Sequence, residues 1–298
     1  MNITRKFNVM SMISHVFFIL VSIAFIFPVW SILSISVSNE IDIVNHGYRL
    51  IPLHLDFSAY IHIFESPGVI VNAYKVTAIS SILGSFLSVW MISMCAYALS
   101  RRNFRYRKFI TFYLLFTMLF SGGLVPLYIL MTQYLHVQNT YAALILPGMG
   151  SVFYLILMRT FFLQVPTELI EAGTIDGASE FKIYVRLIIP LSTPVFATIG
   201  LFQLLGYWNS WFPALLYITD DKLFTLQYLL QRILRNISEL IENMEMGMGM
   251  SMDIAQALDL PSEAIRMAMA VIAIGPMLFV FPFFQKYFTK GMTVGSVK

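Results

Sequence analysis

Six long apolar runs decide what this chain can become. Residues 12–37 contain no Asp, Glu, Lys or Arg, and comparable runs lie at about 69–99, 109–131, 141–163, 187–218 and 264–288. Crossing ~30 Å of hydrocarbon takes about 20 apolar residues in a helix. Inside a bilayer no water is present to satisfy backbone N–H and C=O groups, so an isolated span of this length has to be helical. The expected fold class is all-α: a polytopic membrane protein with six transmembrane helices. Composition agrees, with 58% of the 298 residues hydrophobic and 12% charged, where a soluble domain carries roughly 25% charged residues. The first run is too long for a secretory signal and shows no clear small-residue cleavage site. It reads as an uncleaved first span, loosened near Pro28, behind a short tail of residues 1–11.

Loop charge sets the expected orientation, because basic loops stay in the cytoplasm. The tail has Arg5 and Lys6, and the second connection has Arg101, Arg102, Arg105, Arg107 and Lys108 with no acid. The segment at about 164–186 has Lys182 and Arg186, with Arg159 nearby. Between these, 39–68 is acidic, 132–140 has no Lys or Arg, and in 219–263 the acids outnumber Lys222, Arg232 and Arg235. The alternation places both termini and residues 164–186 in the cytoplasm. The outer segments are more than turns. Thr225–Leu234 spaces its apolar residues helically, and Pro261-Ser262-Glu263 reads as a helix start with Ser262 as N-cap.

The spans are poor in chemistry. No Asp, Glu, Lys or Arg lies near the middle of any of them, whereas ion-coupled carriers usually keep ionisable groups at mid-membrane. That disfavours self-powered transport without excluding Na⁺ held by carbonyls. No G-x-x-x-x-G-K-[ST] loop is present, so any ATP site belongs to a partner. A net charge of +3 is too small to suggest nucleic acid. The lone Cys95 excludes an internal disulfide and reads as a buried, inert thiol. No catalytic residue, cofactor or metal is expected. Gly206-Tyr207-Trp208-Asn209-Ser210-Trp211-Phe212-Pro213, with Gln203 just before it, joins aromatic faces to amides. Such a set suits sugar rings in a pathway through Gln203, Trp208, Asn209 and Trp211; an aromatic belt at the membrane surface is the plainer reading.

One polar stretch interrupts the apolar pattern: Glu171-Ala172-Gly173-Thr174-Ile175-Asp176-Gly177-Ala178. Thr167 can cap a helix starting after Pro166. Leu169, Ala172 and Ile175 then share one side, and Glu168 and Glu171 share another. Like charges on one face suit a basic partner surface. Asp176-Gly177 marks a turn, because Gly tolerates positive φ. A second short helix at about 179–186 leads into the fifth span, and Pro190 and Pro194 keep the two from forming one rod. An ordinary solvated loop is the plainer alternative to a docking element.

The pattern Glu171-Ala172-Gly173-x3-Gly177-x9-Leu187-Ile188-Ile189-Pro190 resembles the EAA motif of ABC-importer permeases, E-A-A-x3-G-x9-I-x-L-P. Gly173, Leu187 and Ile189 are the mild departures, and Asp176 and Ala178 match its common D-G-A form. Gly47-x2-Leu50-x-Pro52, Ala96-Tyr97-Ala98-Leu99-Ser100-Arg101, Gly122-Gly123-Leu124-Val125-Pro126, Asn139-Thr140 and Leu144-Ile145-Leu146-Pro147 look like the carbohydrate branch. So do Tyr207-Trp208-Asn209 and the tail from Phe281 to Gly291, which is similar to a subfamily serving complex, often uronate-containing oligosaccharides such as alginate, aldouronate or rhamnogalacturonan fragments. The resemblance implies a type-1 permease domain over 12–298 in a bacterial inner membrane. It implies ATPase docking through Glu171, Ala172, Gly173, Asp176, Gly177 and Ala178, with Glu171 pairing a basic ATPase residue. The implied partners are ABC ATPase subunits, a second and different permease, an extracytoplasmic solute-binding protein, an oligosaccharide and membrane lipid. Transport would proceed by alternating access. A standalone ion-coupled or facilitative sugar carrier, and a membrane scaffold that recruits a partner without transport, are the readings from other classes.

Weaker patterns remain. Met244, Met246, Met248, Met250 and Met252 have thioethers that suit Cu(I), or an adaptable outer loop. His46, His54 and His62 recur every eight residues without an element that aligns them. Arg101–Lys108 suits anionic lipid or simply sets topology.

Overall fold

The computed structural model describes residues 9–65, 67–245 and 262–294, so the methionine run beyond Glu245 lies outside the described residues. The described residues form helices α1 (Val9–Ser36), α2 (Glu40–His46), α3 (Ser58–Ile63), α4 (Pro67–Ser100), α5 (Arg107–Leu119), α6 (Leu124–Ile129), α7 (Tyr141–Ile145) and α8 (Val152–Phe162). After these come α9 (Thr167–Ile175), α10 (Glu180–Ile183), α11 (Ile189–Leu191), α12 (Thr193–Trp208), α13 (Phe212–Tyr217), α14 (Leu226–Glu245) and α15 (Ser262–Val294). Among the described residues the only β pairing is an isolated bridge between Ser38 and Leu55.

Three stretches are long and apolar enough to cross a membrane unbroken: Met12–Ser36, Pro67–Ser100 and Glu263–Gln285. Three more qualify only as bent pairs: Arg107–Leu119 with Leu124–Tyr134 (111°), Tyr141–Gly148 with Val152–Phe162 (57°) and Glu180–Leu191 with Thr193–Trp208 (83°). Six spans result if each pair counts as one. Local chemistry explains where the breaks fall. The first break holds Gly123 at φ 89°, a backbone that disfavours any side chain. The second follows Pro147. By contrast, α1 continues through Pro28, where a loosened helix was expected. Cys95 is exposed on α4 rather than buried in protein: an apolar helix offers part of its circumference to lipid, so an apolar run does not imply protein burial.

The chain divides into two compact units, residues 1–67 with 233–275 and residues 68–232 with 276–298. In the first unit, side chains of α1 hold the outer segment by its backbone. Trp30 Nε1 donates to Leu50 O at 2.8 Å and Ser34 Oγ to Arg49 O at 2.9 Å. The start of α15 is satisfied from afar. Glu40 accepts hydrogen bonds from the Glu263 and Ala264 N–H groups, both at 3.1 Å. Ser262 is already the first helical residue, so the expected serine cap is replaced by a carboxylate 223 residues away in sequence. Glu263 in turn accepts from Tyr48 at 3.0 Å and from Arg266 at 2.9 Å, and its carboxylate pushes the Tyr48 phenol up from its ordinary value. An anion at a helix N-terminus satisfies orphan N–H groups and complements the helix dipole. Glu40→Ala is expected to destabilise the chain by about 1 kcal/mol, the usual worth of a helix cap, with Glu40→Gln losing less. A thermal melt of the detergent-solubilised protein checks this.

The second unit is organised by α4. The middle of its buried side is small: Ser80, Ser81, Gly84, Ser85 and Ser88. Small residues let helix backbones approach closely in a membrane. Ser88 Oγ donates to Met149 O at 2.9 Å. A Cβ added at Gly84 would lie 2.8 Å from the Tyr207 ring, and so would one at Gly148. Tyr207 therefore wedges its ring end against two glycines, and its hydroxyl donates to Ile145 O at 2.8 Å.

Candidate functional site: the segment between the fourth and fifth spans

The polar stretch folds as two short helices. α9 starts at Thr167 itself, with Pro166 at the cap position and no side-chain cap, which corrects the expected role of Thr167. Pro166 cannot supply a side-chain acceptor, and its fixed φ leads the chain into the first turn. The end of α9 is closed by chemistry that the sequence announces. Asp176 is the last half-helical residue and Gly177 follows at φ 73°. The Ala178 N–H donates to Gly173 O and the Gly177 N–H to Thr174 O, both at 3.0 Å. These are the two bonds of a Schellman cap, which needs the left-handed residue that glycine supplies. Gly173 also faces α10, and a Cβ there would touch the Ile183 side chain at 3.4 Å.

What α9 buries is Ile170. Leu169 is 42% exposed and Ile175 86% exposed. Glu168, Glu171, Ala172 and Asp176 are exposed as well, and Ala178 is half-buried. The apolar side expected from helical spacing thus faces outward beside two carboxylates, while Ile170 is the one side chain of α9 that is buried.

Ser179 caps α10 through its hydroxyl, which accepts weakly from the Lys182 N–H at 3.3 Å. The chain then passes through a wide turn at Tyr184–Ile188 and α11, and bends by 83° before α12. The bend falls at Ser192, between Pro190 and Pro194. Pro194 has no N–H to give the Pro190 carbonyl, and the Thr193 hydroxyl supplies that hydrogen bond instead at 2.8 Å. The two arms are therefore far from collinear, and Glu180 stands on the arm before the bend.

Glu180 opens α10 and is a residue that the motif does not point to. It accepts from Tyr97 Oη at 2.6 Å, in the last turn of α4, and from Arg101 Nη2 at 3.0 Å, just beyond it. Burial pushes its carboxyl up, but the hydrogen bonds from Tyr97 and Arg101 and the guanidinium charge outweigh that and hold it below the ordinary glutamate range. One turn further on, Tyr184 pairs with Ser93 at 2.6 Å.

The candidate pathway residues separate. Gln203 is buried at 6% exposure, and its Nε2 has no hydrogen-bond partner. It lines a pocket of about 280 Å³ with Leu144, Gly148, Tyr207, Ser210 and Pro213. Trp208 is buried and packs its ring 6.3 Å from that of Tyr74. Asn209 is an exposed C-cap of α12, donating its N–H to Leu205 O. Trp211 is half-buried with its ring edge-on to Phe212. Only Gln203 of the four lines the pocket. Asn139, quoted above only for its motif, does more than mark a turn. Its Oδ1 accepts from the Thr219 and Asp220 N–H groups at 2.6 and 3.1 Å. Among the described residues no group of three or more His, Cys, Asp or Glu could hold a metal. His54 faces Asp42 and His62 faces Glu65, each as a single pair.

Fold and site together define an all-α, multi-pass membrane protein with an exposed two-helix segment between two spans. The chain belongs to the binding-protein-dependent transport system inner membrane component family, whose profile matches residues 88–294. It is 35% identical over 294 residues to the polygalacturonan/rhamnogalacturonan transport system permease protein YtcP of Bacillus subtilis (strain 168), covering 98% of this chain and 99% of that one. It is 36% identical over 273 residues to Protein LplC of the same organism, covering 92% and 89%. A solved chain from a bacterial ABC transporter involved in the import of the acidic polysaccharide alginate superposes with a TM-score of 0.78. That chain is 26% identical, and the match covers 97% of this chain and 99% of it.

Proposed function

We propose that this chain is one permease subunit of an ATP-driven, binding-protein-dependent importer of oligosaccharides, uronate-containing ones among them. Its 164–186 segment docks on an ATPase subunit. Nucleotide-driven closure of the ATPases moves that segment, and the pathway opens alternately to either side. The partners are ABC ATPase subunits, a second and different permease, and an extracytoplasmic binding protein. Both termini and the docking segment lie in the cytoplasm.

The observation that carries this reading is the outward face of α9. A nine-residue helix that buries only Ile170 exposes Leu169, Ile175, Glu168 and Glu171 together. Water gains nothing from such a surface, but a groove with an apolar floor and a basic rim would bury the first pair and neutralise the second. The relatives support the substrate class, since the names of one relative and one structural neighbour both concern acidic polysaccharides. In the pathway, the Gln203 amide N–H can donate to a sugar hydroxyl.

The test is to purify the tagged chain in mild detergent and identify its companions by mass spectrometry. Expected are a stoichiometric ATPase and a different six-span protein. In the reconstituted complex, binding protein loaded with galacturonate or alginate oligosaccharides is expected to stimulate ATP hydrolysis more than protein loaded with neutral ones. A chain that purifies alone and moves sugar in liposomes without ATP overturns the proposal in favour of a carrier.

A further inference from the structure

We propose that Glu180 is a positioning residue: held by Tyr97 and Arg101, it forms a strap that carries movement of the docking segment into α4. The inference rests on the docking role of residues 164–186 and adds the route by which that movement leaves the segment.

Two polar ties join the segment to α4. Glu180 accepts from Tyr97 and Arg101 at 2.6 and 3.0 Å, and Tyr184 pairs with Ser93 at 2.6 Å. The spacing matches on both sides: 180 and 184 on one, 97 and 93 on the other, each four residues apart and so one turn apart. Two attachments a turn apart restrain sliding and rotation together, which a single one cannot do. The Arg101 guanidinium also lies over the Tyr97 ring, 5.7 Å from its centre, which orients both donors toward one carboxylate.

Apolar packing accompanies the ties: Tyr97, Ile183 and Tyr184 share one buried cluster, and the Tyr97 and Tyr184 rings lie 5.3 Å apart. Beside the ties opens a cavity of about 400 Å³, lined by Met94, Tyr97, Phe104, Phe181 and Tyr184 among others. The Glu180–Arg101 pair is also partly solvated, with side chains 62% and 21% exposed. A pair of that kind contributes little to folding, so breaking it leaves the fold intact while removing one of the two ties. From its tied end α4 runs back to Gly84 and Ser88, which contact Tyr207 and Met149. Tyr207 in turn lines the Gln203 pocket. A pull on Glu180 therefore reaches the wall of the pathway through one rigid helix.

The experiment uses the full transporter in proteoliposomes with Arg101→Glu, Glu180→Arg and the double reversal. It reads the substrate imported per ATP hydrolysed, a ratio that a purely structural defect does not move. Each single reversal is expected to retain the ATPase at wild-type stoichiometry and to hydrolyse ATP. Import per ATP is expected to fall at least about tenfold, as for loss of one charge-assisted tie. The double reversal is expected to recover most of that loss. Single reversals with wild-type import per ATP, or a double reversal no better than either single, overturn the strap. Where a reversal blocks assembly, Glu180→Gln and Tyr97→Phe are read the same way, since each removes a tie with little change in volume. Glu171→Lys, measured alongside, separates the two ideas. If it transports as wild type, the docking reading falls. If it is impaired while the Glu180 and Arg101 variants keep wild-type import per ATP, only the strap falls.

Discussion

Glu171→Lys is expected to lower ATP-driven uptake by at least about thirtyfold, the effect of setting like charges together across an interface at a cost of several kcal/mol. The amount of inserted, folded chain should not change. Both halves of that expectation come from where Glu171 sits. Its carboxylate is exposed on α9, and no hydrogen bond or ion pair within the described residues holds it. Substitutions at exposed, unengaged positions usually change stability by less than about 0.5 kcal/mol. A large functional loss would therefore have to arise outside this chain, at a partner surface. Glu171→Gln grades the effect: it keeps the shape, removes the charge and should cost less than reversal. Uptake of labelled oligosaccharide by cells, normalised to the chain and ATPase recovered from their membranes, decides the matter. Wild-type uptake at wild-type levels of Glu171→Lys would remove the reason to place an ATPase on this face.

What the sequence reveals and what it withholds divide along the range of the forces involved. The apolar runs and the Asp176-Gly177 cap are local, whereas the break at Gly122-Gly123, inside what reads as one span over 109–131, is found only in the fold. Each local feature follows from the residues within one or two turns, and the Schellman cap completes its two hydrogen bonds between residues 173 and 178. The face of α9 shows where local reasoning stops. Helical spacing puts Leu169, Ala172 and Ile175 on one side, and convention would turn that side inward. The chain buries Ile170 instead, because the inward direction is set by what α9 packs on and not by its own pattern. The same holds for Glu180 and Arg101, which are 79 residues apart, and for Glu40 and Glu263. Nothing near Glu40 announces that it will cap a helix from the far end of the chain. Among Gln203, Trp208, Asn209 and Trp211, one sequence cluster yields a pocket-lining amide, a packed ring, an exposed helix end and a half-buried ring. Adjacent residues on a helix point in different directions, and composition alone does not say which direction meets the pocket.

The stability of the second unit should hinge on the smallest residues of α4 and of the turn before α8. Gly84→Ala is expected to destabilise the chain by about 3 kcal/mol, combining the strain of overpacking with damage to a buried hydrogen bond. A single methyl suffices because the added Cβ would lie 2.8 Å from one Tyr207 ring atom and 2.9 Å from another. The ring has few ways to yield. Its hydroxyl is committed to Ile145 O at 2.8 Å, and the same ring end lies against Gly148. Gly148→Ala should behave alike, whereas Gly206→Ala, beside Tyr207 in sequence but with nothing within 4 Å of its added Cβ, should be neutral or slightly stabilising as alanine replaces glycine in a helix. A double-mutant cycle makes the cause specific. In a Tyr207→Leu background the ring is gone, so Gly84→Ala should cost less than about 0.5 kcal/mol, and the difference is the coupling between the two sites. Thermal melts of the purified chain give all four corners of the cycle. Additive losses would mean that Gly84 is small for a reason other than Tyr207. Coupled losses would show that the close approach of α4 to α12, which shapes the Gln203 pocket, depends on a glycine admitting one tyrosine ring.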